Sequence, residues 1–267
     1  RLRKRSGAVV LEVPYSDRHP WPVAADGAGH SLVLVRPSYG ERDHRAWAAS
    51  AFKGGSPGGP DPLPDGPLTG IVINELLGHA ETGQLDFIEL YNGSARPMDL
   101  TACYLSDDRL AAKYRIPDGT ILDPHARVVF DETQLGFALD AAGEAVFLIH
   151  PALDRVLDAV RLTPQRQGTA FGRFPDGADQ WHALDQPTPG KANARPRRPN
   201  VVISEIMYHP ISEMDDDQYV ELHNSGTKSV DLDGWRLTDG IEYQFPPGTP
   251  INPGGFLVVA RKAARLR

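Results

Sequence analysis

The sequence predicts an all-β protein made of two-sheet β-sandwich repeats, one of them complete and two partial. Three observations predict it. First, 26 Gly and 24 Pro among 267 residues, with no collagen-like period, indicate many short elements and disfavour a helical bundle. Second, short runs of alternating apolar residues are bounded by Gly, Pro, Asn and Asp, which is typical of strands. Third, one series of motifs occurs twice at a nearly constant spacing.

The repeat is carried by motifs that keep their order and spacing. The first series is IVINE at 71–75, FIELYN at 87–92, DL at 99–100 and YLSD at 104–107. The second series is VVISE at 201–205, YVELHN at 219–224, DL at 231–232 and RLTD at 236–239. Matched positions in the two series lie 130 to 132 residues apart. The polar residues that recur in register are Glu75, Glu89, Asn92 and Asp107, and then Glu205, Glu221, Asn224 and Asp239.

A second match joins the N-terminal stretch to the latter half of the middle copy. Trp47, followed by SPG at 56–58, corresponds to Trp181, followed by TPG at 188–190. We therefore predict a C-terminal half-domain at 1–61, a complete domain at 71–193 and an N-terminal half-domain at 201–267. Residues 62–70 are a predicted Pro/Gly linker, and residues 194–200 are a predicted basic, Pro-containing linker.

The individual strands follow from local pattern. Residues 1–13 fit a hairpin with its turn around Ser6 and Gly7. In the complete domain, alternation or short apolar runs predict strands at 71–77, 86–91, 127–130, 145–149 and 155–162. Long helical periodicity is missing from the sequence, and several short strands between turns favour a two-sheet sandwich.

The distribution of charge and the single cysteine limit which partners and ligands the chain is expected to bind. The formal net charge of -7 divides into +3 for 1–61, −8 for 71–193 and −4 for 201–267, with −1 from linker 62–70 and +3 from linker 194–200. The middle domain would repel phosphates, so nucleic acid is an unfavourable partner. The single Cys103 excludes an intrachain disulfide and a cysteine-based zinc site, and we predict a buried, inert thiol. No apolar run approaches the roughly 20 residues that a membrane-spanning helix needs.

Taken together, these motifs resemble the lamin-tail domain family in its bacterial, tandem-repeat form. The resemblance covers nearly the whole chain and implies an immunoglobulin-like β-sandwich that serves as an interaction module. In that family, bacterial copies occur in tandem or beside kinase-like, nuclease or other hydrolase domains of secreted or envelope proteins. The resemblance therefore implies an extracellular or cell-envelope location. The middle copy departs from the third at Cys103, where the third copy has Trp235.

The recurring glutamates allow two interpretations. Glu75 with Glu89, and Glu205 with Glu221, are paired carboxylates of the kind that general acid–base catalysis uses. Alternatively, each glutamate lies on a strand and satisfies backbone N–H groups or pairs with an arginine. Recurrence within a repeat favours the structural interpretation, because a repeated unit keeps what its fold needs. We therefore predict no catalytic residues.

Two ligand sites are predicted outside the repeat positions. Asp215, Asp216 and Asp217 form an anionic loop that offers oxygens to calcium, although such loop tips are commonly just solvated. No other cofactor is expected. Trp47 and Trp181 occupy equivalent positions and are expected to pack against the sandwich. Trp21, between Pro20 and Pro22, is less constrained and is the candidate for ligand contact.

Three functions compete. The first is a non-catalytic tandem interaction or scaffold module of a larger secreted or surface protein, which binds a protein or a cell-surface polymer. The second is an accessory carbohydrate- or nucleic-acid-binding domain appended to an enzyme outside this stretch. The third is an enzyme in its own right. The two half-domains either complement each other, within a chain or head-to-tail between chains, or belong to an array that was cut mid-unit.

Overall fold

The computed structural model describes residues 1–18, 20–62, 66 and 68–266. His19, linker residues 63–65 and 67, and Arg267 lie outside the described residues. The chain folds into two compact units, Arg1–Arg197 and Arg198–Arg267. The predicted all-β class is confirmed: within the described residues, one short α-helix, α1 (Glu132–Leu135), accompanies many antiparallel strands. The 3₁₀ turns are Val23–Ala25, Pro37–Tyr39, His44–Ala46, Asp215–Asp217 and Ala263–Arg265.

The N-terminal segment consists of two hairpins. These are formed by β1 (Leu2–Arg3) with β2 (Val9–Leu11) and by β3 (Leu32–Leu34) with β4 (Trp47–Ala49). In the first hairpin, the N–H of Gly7 donates to the carbonyl oxygen of Lys4 at 2.9 Å. Gly7 has a φ of 87°, a conformation that glycine adopts at little cost. The predicted N-terminal hairpin and its turn are confirmed.

The middle region is an immunoglobulin-like sandwich. Its strands are β5 (Ile71–Leu77), β6 (Phe87–Asn92), β7 (Met98–Asp99), β8 (Tyr104–Ser106), β9 (Tyr114–Arg115), β10 (Ile121–Leu122), β11 (Arg127–Asp131), β12 (Ala145–Ile149), β13 (Val156–Arg161), β14 (Phe171–Arg173) and β15 (Trp181–Ala183). One sheet has the order β11-β6-β5-β14-β15, the other has β13-β12-β8-β9, and β7 pairs with β10. All pairings are antiparallel.

The core of this sandwich draws side chains from both sheets. Ile73 and Leu76 from one sheet and Leu105 and Leu148 from the other are fully buried in one cluster. Burial of each such side chain contributes about 1.5–3 kcal/mol to folding. Cys103 lies in the same cluster and is also fully buried, as predicted.

The N-terminal segment packs on the outer face of the second sheet. Phe147 and Ile149 alternate along β12 with core residues and therefore point away from the core. Both pack with Ala28 in a separate apolar cluster. His30 reinforces the contact, because its Nε2 accepts from the N–H of Val156 at 2.9 Å. Residues 1–61 thus share one compact unit with the middle domain, while the exact predicted domain boundaries stay a prediction.

The second unit repeats the first half of the sandwich. Its strands are β16 (Val201–Met207), β17 (Tyr219–Asn224), β18 (Val230–Asp231), β19 (Arg236–Leu237), β20 (Tyr243–Gln244), β21 (Pro250–Ile251) and β22 (Phe256–Ala260). The pairings are β16-β17-β22, β18-β21 and β19-β20, which match β5-β6-β11, β7-β10 and β8-β9. Even the irregularity between Ile73 and Glu75 recurs between Ile203 and Glu205.

Candidate functional site

Two glutamates lie side by side in the interior of the middle domain. Glu75 on β5 and Glu89 on β6 are partners across the strand pair. Both are 0% exposed, so a substrate in solution cannot reach them in this conformation. Buried carboxylates of this kind need hydrogen-bond donors to compensate for lost hydration.

The donors come from the TPG segment at 188–190. The N–H and hydroxyl of Thr188 donate to the two oxygens of Glu75 at 2.8 and 2.9 Å. The N–H of Gly190 donates to Oε2 of Glu89 at 2.7 Å. The loop that ends the domain is thereby fastened to its first two strands. We call these two glutamates with residues 188–190 the carboxylate lock.

Polar side chains complete the surroundings of the lock. Asn74 Nδ2 donates to Oε1 of Glu89 and to Oδ1 of Asp176, both at 2.9 Å. The guanidinium of Arg127 ion-pairs with Asp176, and its Nε lies 3.9 Å from Glu89 Oε1. Asn193 Nδ2 donates to the backbone oxygen of Asn74 at 3.0 Å. The glutamates therefore belong to a continuous buried network.

Burial governs the protonation of the lock. It raises the pKa of Glu89 to about 7, against the lowering effects of the Asn74 and Gly190 hydrogen bonds. Burial also raises the pKa of Glu75, against hydrogen bonds from Thr188. Glu89 can therefore exchange a proton near neutral pH, but acid–base catalysis also requires access to a substrate.

The asparagines of the repeat hold the ends of their strands to the neighbouring loops. Asn92 Nδ2 donates to the backbone oxygen of Leu122 at 2.9 Å, and Asn224 Nδ2 donates to that of Ile251 at 2.7 Å. Both asparagines are fully buried. The same bond therefore stabilises the same turn in the two units.

The two equivalent aspartates of the repeat have different surroundings. Asp107 ion-pairs with Lys113 at 2.5 Å. Asp239 has a φ of 61°, in the left-handed region that aspartate tolerates better than most residues. Neither is placed near the carboxylate lock by any described contact.

The tryptophans occupy the edges of the fold. The Trp181 ring stacks on Phe171, with centroids 5.2 Å apart, and lies 4.9 Å from the guanidinium of Arg173. Trp47 lies 6.4 Å from Trp21, with the ring planes tilted by 47°. Trp21 is half-buried, and its predicted ligand contact stays a prediction.

An open groove of about 440 Å³ lies beside this tryptophan pair. It is lined by Trp47 together with Tyr15 and Leu32. Tyr15 is 72% exposed, so aromatic surface is accessible there.

The predicted calcium loop is occupied by internal ion pairs. Each of its three aspartates faces a cation: Asp215 faces Arg261, Asp216 faces Lys262 and Asp217 faces Arg265. The hydrogen bond from Arg265 holds the pKa of Asp217 down at about 2. Across the described part of the chain, no three His, Cys, Asp or Glu side chains are arranged to hold a metal ion. The calcium site stays a prediction.

The second unit contains an open counterpart of the lock. Ser204 Oγ donates to Glu221 Oε1 at 2.8 Å, as Asn74 does to Glu89. Glu205 is exposed and accepts from the hydroxyl of Tyr219 at 2.7 Å.

The comparisons with known proteins identify the family. The Lamin Tail Domain family matches residues 66–163 and 194–266, which is more than half of the chain. No match was found among curated proteins or among solved structures. The residues that the structure describes contain no helix both long and apolar enough to cross a bilayer. By the extent of its match, the chain belongs to the lamin tail domain family.

Proposed function

We propose that this chain is a non-catalytic interaction or scaffold module of a larger secreted or surface-associated protein. One observation supports this above others: the paired carboxylates fasten a loop instead of lining a cleft. The carboxylate oxygens of Glu75 and Glu89 accept hydrogen bonds from Thr188, Gly190 and Asn74. Membership in a family of immunoglobulin-like domains supports the same function. The surface location rests on the family resemblance.

Hydrolysis assays test the absence of catalysis. Purified chain is incubated with chromogenic esters, glycosides and phosphodiesters at pH 5 to 8, beside the Glu75→Gln and Glu89→Gln variants. We expect no turnover above buffer for any of the three proteins. Turnover by the native chain that both substitutions abolish would overturn the proposal.

An accessory carbohydrate-binding function is the alternative that a specific observation favours. The groove beside Trp47 presents the exposed Tyr15 ring, and sugars stack on accessible aromatic faces. Titration with soluble polysaccharides, followed by tryptophan fluorescence, separates the two functions. With a protein as the partner, the leading proposal expects no change in emission, whereas saturable quenching that Trp47→Phe or Trp21→Phe removes would favour carbohydrate.

A further inference from the structure

A buried histidine connects the N-terminal segment to the middle domain. The apolar part of their contact consists of Ala28 from the segment and of Phe147 and Ile149 from the outer face of β12. His30 follows two residues after Ala28 and is only 6% exposed. Its ring is bonded to Val156 of β13. We call the contact that these five residues make the joint.

Both ring nitrogens of His30 have a backbone partner, and the partners fix the protonation state of the ring. Nδ1 lies 2.7 Å from the carbonyl oxygen of Ser50, which can only accept, so Nδ1 carries the hydrogen. Nε2 lies 2.9 Å from the N–H of Val156, which can only donate, so Nε2 carries none. The Ser50 bond lies within the N-terminal segment, whereas the Val156 bond crosses the joint. A proton on Nε2 would place two donors against each other and break the bond that crosses.

The loop after β4 offers a protonated His30 little compensation. Lys53 disfavours a positive charge on the ring, and Asp61 favours it. The carboxylate of Asp61, however, already accepts from the N–H of Ala51 at 2.8 Å and from the hydroxyl of Ser56 at 3.0 Å. A cation at His30 would therefore be buried with a partner that is already engaged.

The turn before β13 brings one more cation and one more carboxylate to the joint. The guanidinium of Arg155 lies 5.7 Å from the centre of the Phe52 ring. The backbone oxygen of Asp154 accepts from the N–H of Lys53 at 2.9 Å, and its carboxylate lies 3.1 Å from Nδ1 of His150. Both side chains therefore have contacts of their own.

These surroundings set the direction in which pH acts on the joint. Burial lowers the pKa of His30 from its ordinary 6.5, against the raising effect of the Ser50 carbonyl. The closed joint therefore binds fewer protons than the open one. Its stability is complete above pH 6.5 and is lost as pH falls from 6.5 toward the lower pKa of the closed state. Glu89 acts in the opposite direction on the whole unit, because its pKa is raised.

We propose that the joint is a pH-sensitive contact, which is closed at neutral pH and opens progressively as acid protonates His30 and removes its bond to Val156. Opening uncovers Phe147 and Ile149, so acid changes the surface that the first unit presents. The switch goes beyond the interaction function proposed above and holds whether or not the chain binds a partner.

Cysteine labelling measures the opening. Ala28→Cys places a thiol inside the joint, and native Cys103 in the core reports unfolding of the whole middle domain. The full chain is reacted with dithiodipyridine, and each rate is divided by the rate of the urea-unfolded chain at the same pH. From pH 7 to pH 5 the relative rate of the new thiol should rise several-fold, with a ceiling of about 25-fold if the closed joint takes up no proton. Cys103 should stay protected, because Glu89 stabilises the fold over the same range.

His30→Gln tests the role of the imidazole. The glutamine oxygen can accept from the N–H of Val156 but does not titrate, so the relative rate of the new thiol should change by less than about twofold over the same range. His182→Gln is the matched control. His182 is a half-buried histidine on β15, outside the joint, and its variant should keep the native pH response.

Hydrogen exchange tests the chain without any substitution. After correction for the intrinsic effect of pH, the protection of the Val156 amide should fall from pH 7 to pH 5. The protection of the Leu148 amide, in the core strand β12, should not fall. This measurement stands even where His30→Gln disturbs the fold.

Four results would overturn the proposal. They are a relative rate of the new thiol that does not change with pH, a pH response that His30→Gln leaves intact, constant protection of the Val156 amide, and labelling of Cys103 in step with the new thiol. The last result would show that acid unfolds the whole unit. None of them bears on the interaction function, which the hydrolysis assays test separately.

Discussion

Neutralising Glu89 should flatten the pH dependence of the first unit's stability. The carboxyl lies fully buried and accepts from Asn74 and Gly190, and burial raises its pKa from an ordinary 4.5 to about 7. The substitution Glu89→Gln keeps the size of the side chain and removes its titration. We expect the variant to lose a specific part of the pH dependence that the native chain shows.

The sign and size of that part follow from proton linkage. Between pH 4.5 and 7 the folded protein holds a proton on Glu89 that the unfolded chain has released. The folded state therefore binds more protons, and the free energy of unfolding falls as pH rises through this window. A difference of about 2.5 between the two pKa values corresponds to about 3 kcal/mol, since one pKa unit is worth about 1.4 kcal/mol. Most of the loss occurs between pH 5 and 8.

Urea unfolding at several pH values measures the effect. Tryptophan fluorescence is followed in a Trp235→Phe background, so that the remaining tryptophans all belong to the first unit. Other buried groups also titrate, so the informative quantity is the native slope minus the Glu89→Gln slope. Glu221→Gln is the matched control, since Glu221 occupies the equivalent position in the second unit, where it accepts from Ser204. Parallel slopes for the native chain and Glu89→Gln would refute the reasoning.

Three further predictions concern the same unit. Thr188→Val leaves a buried oxygen of Glu75 without its hydroxyl partner and should lower the urea-unfolding free energy by about 1–3 kcal/mol, while Thr188→Ser should restore most of it. Gly172→Ala should cost about 1–3 kcal/mol in the same assay, because the new Cβ would lie 2.7 Å from a leucine side chain, while Gly59→Ala, with open space around it, is the neutral control. Burial raises the pKa of Cys103 to about 11, so iodoacetamide at pH 8 should label the native thiol at least about 100-fold more slowly than the urea-unfolded thiol; equal rates would contradict its burial.

Local pattern was sufficient for the fold class and for several strands. The bounds of β5 follow directly from its apolar alternation, and those of β12 from an unbroken apolar run. The unbroken run also carried a signal that sequence reasoning missed. Phe147 and Ile149 sit between core residues of β12, so the strand must be covered on both faces. The cover is the N-terminal segment, which comparison of repeats treated as a separate half-domain.

Only part of the carboxylate lock could be predicted from the sequence. The repeat identified Glu75 and Glu89, and it also identified the TPG segment, but nothing local connects them. Thr188 lies 113 residues from Glu75 in sequence, and the bond exists only because β14 returns beside β5. Asn74 and Asp176 were missed for the same reason: their roles depend on a fold-level contact that spacing does not encode.

The carboxylate lock contributes more to the choice of the segment that closes the domain than to the stability of the fold. Two buried carboxylates cost free energy, and an apolar pair of similar volume would commonly be as stable or more so. An apolar pair, however, would accept any apolar strand or loop of suitable shape. Glu75 and Glu89 accept only a segment that presents a hydroxyl and two free N–H groups in one turn, and any other segment leaves buried oxygens unpaired at about 1–3 kcal/mol each. In the second unit Glu205 is exposed and Glu221 is half-buried, so water compensates there for part of the hydration that Glu75 and Glu89 lose.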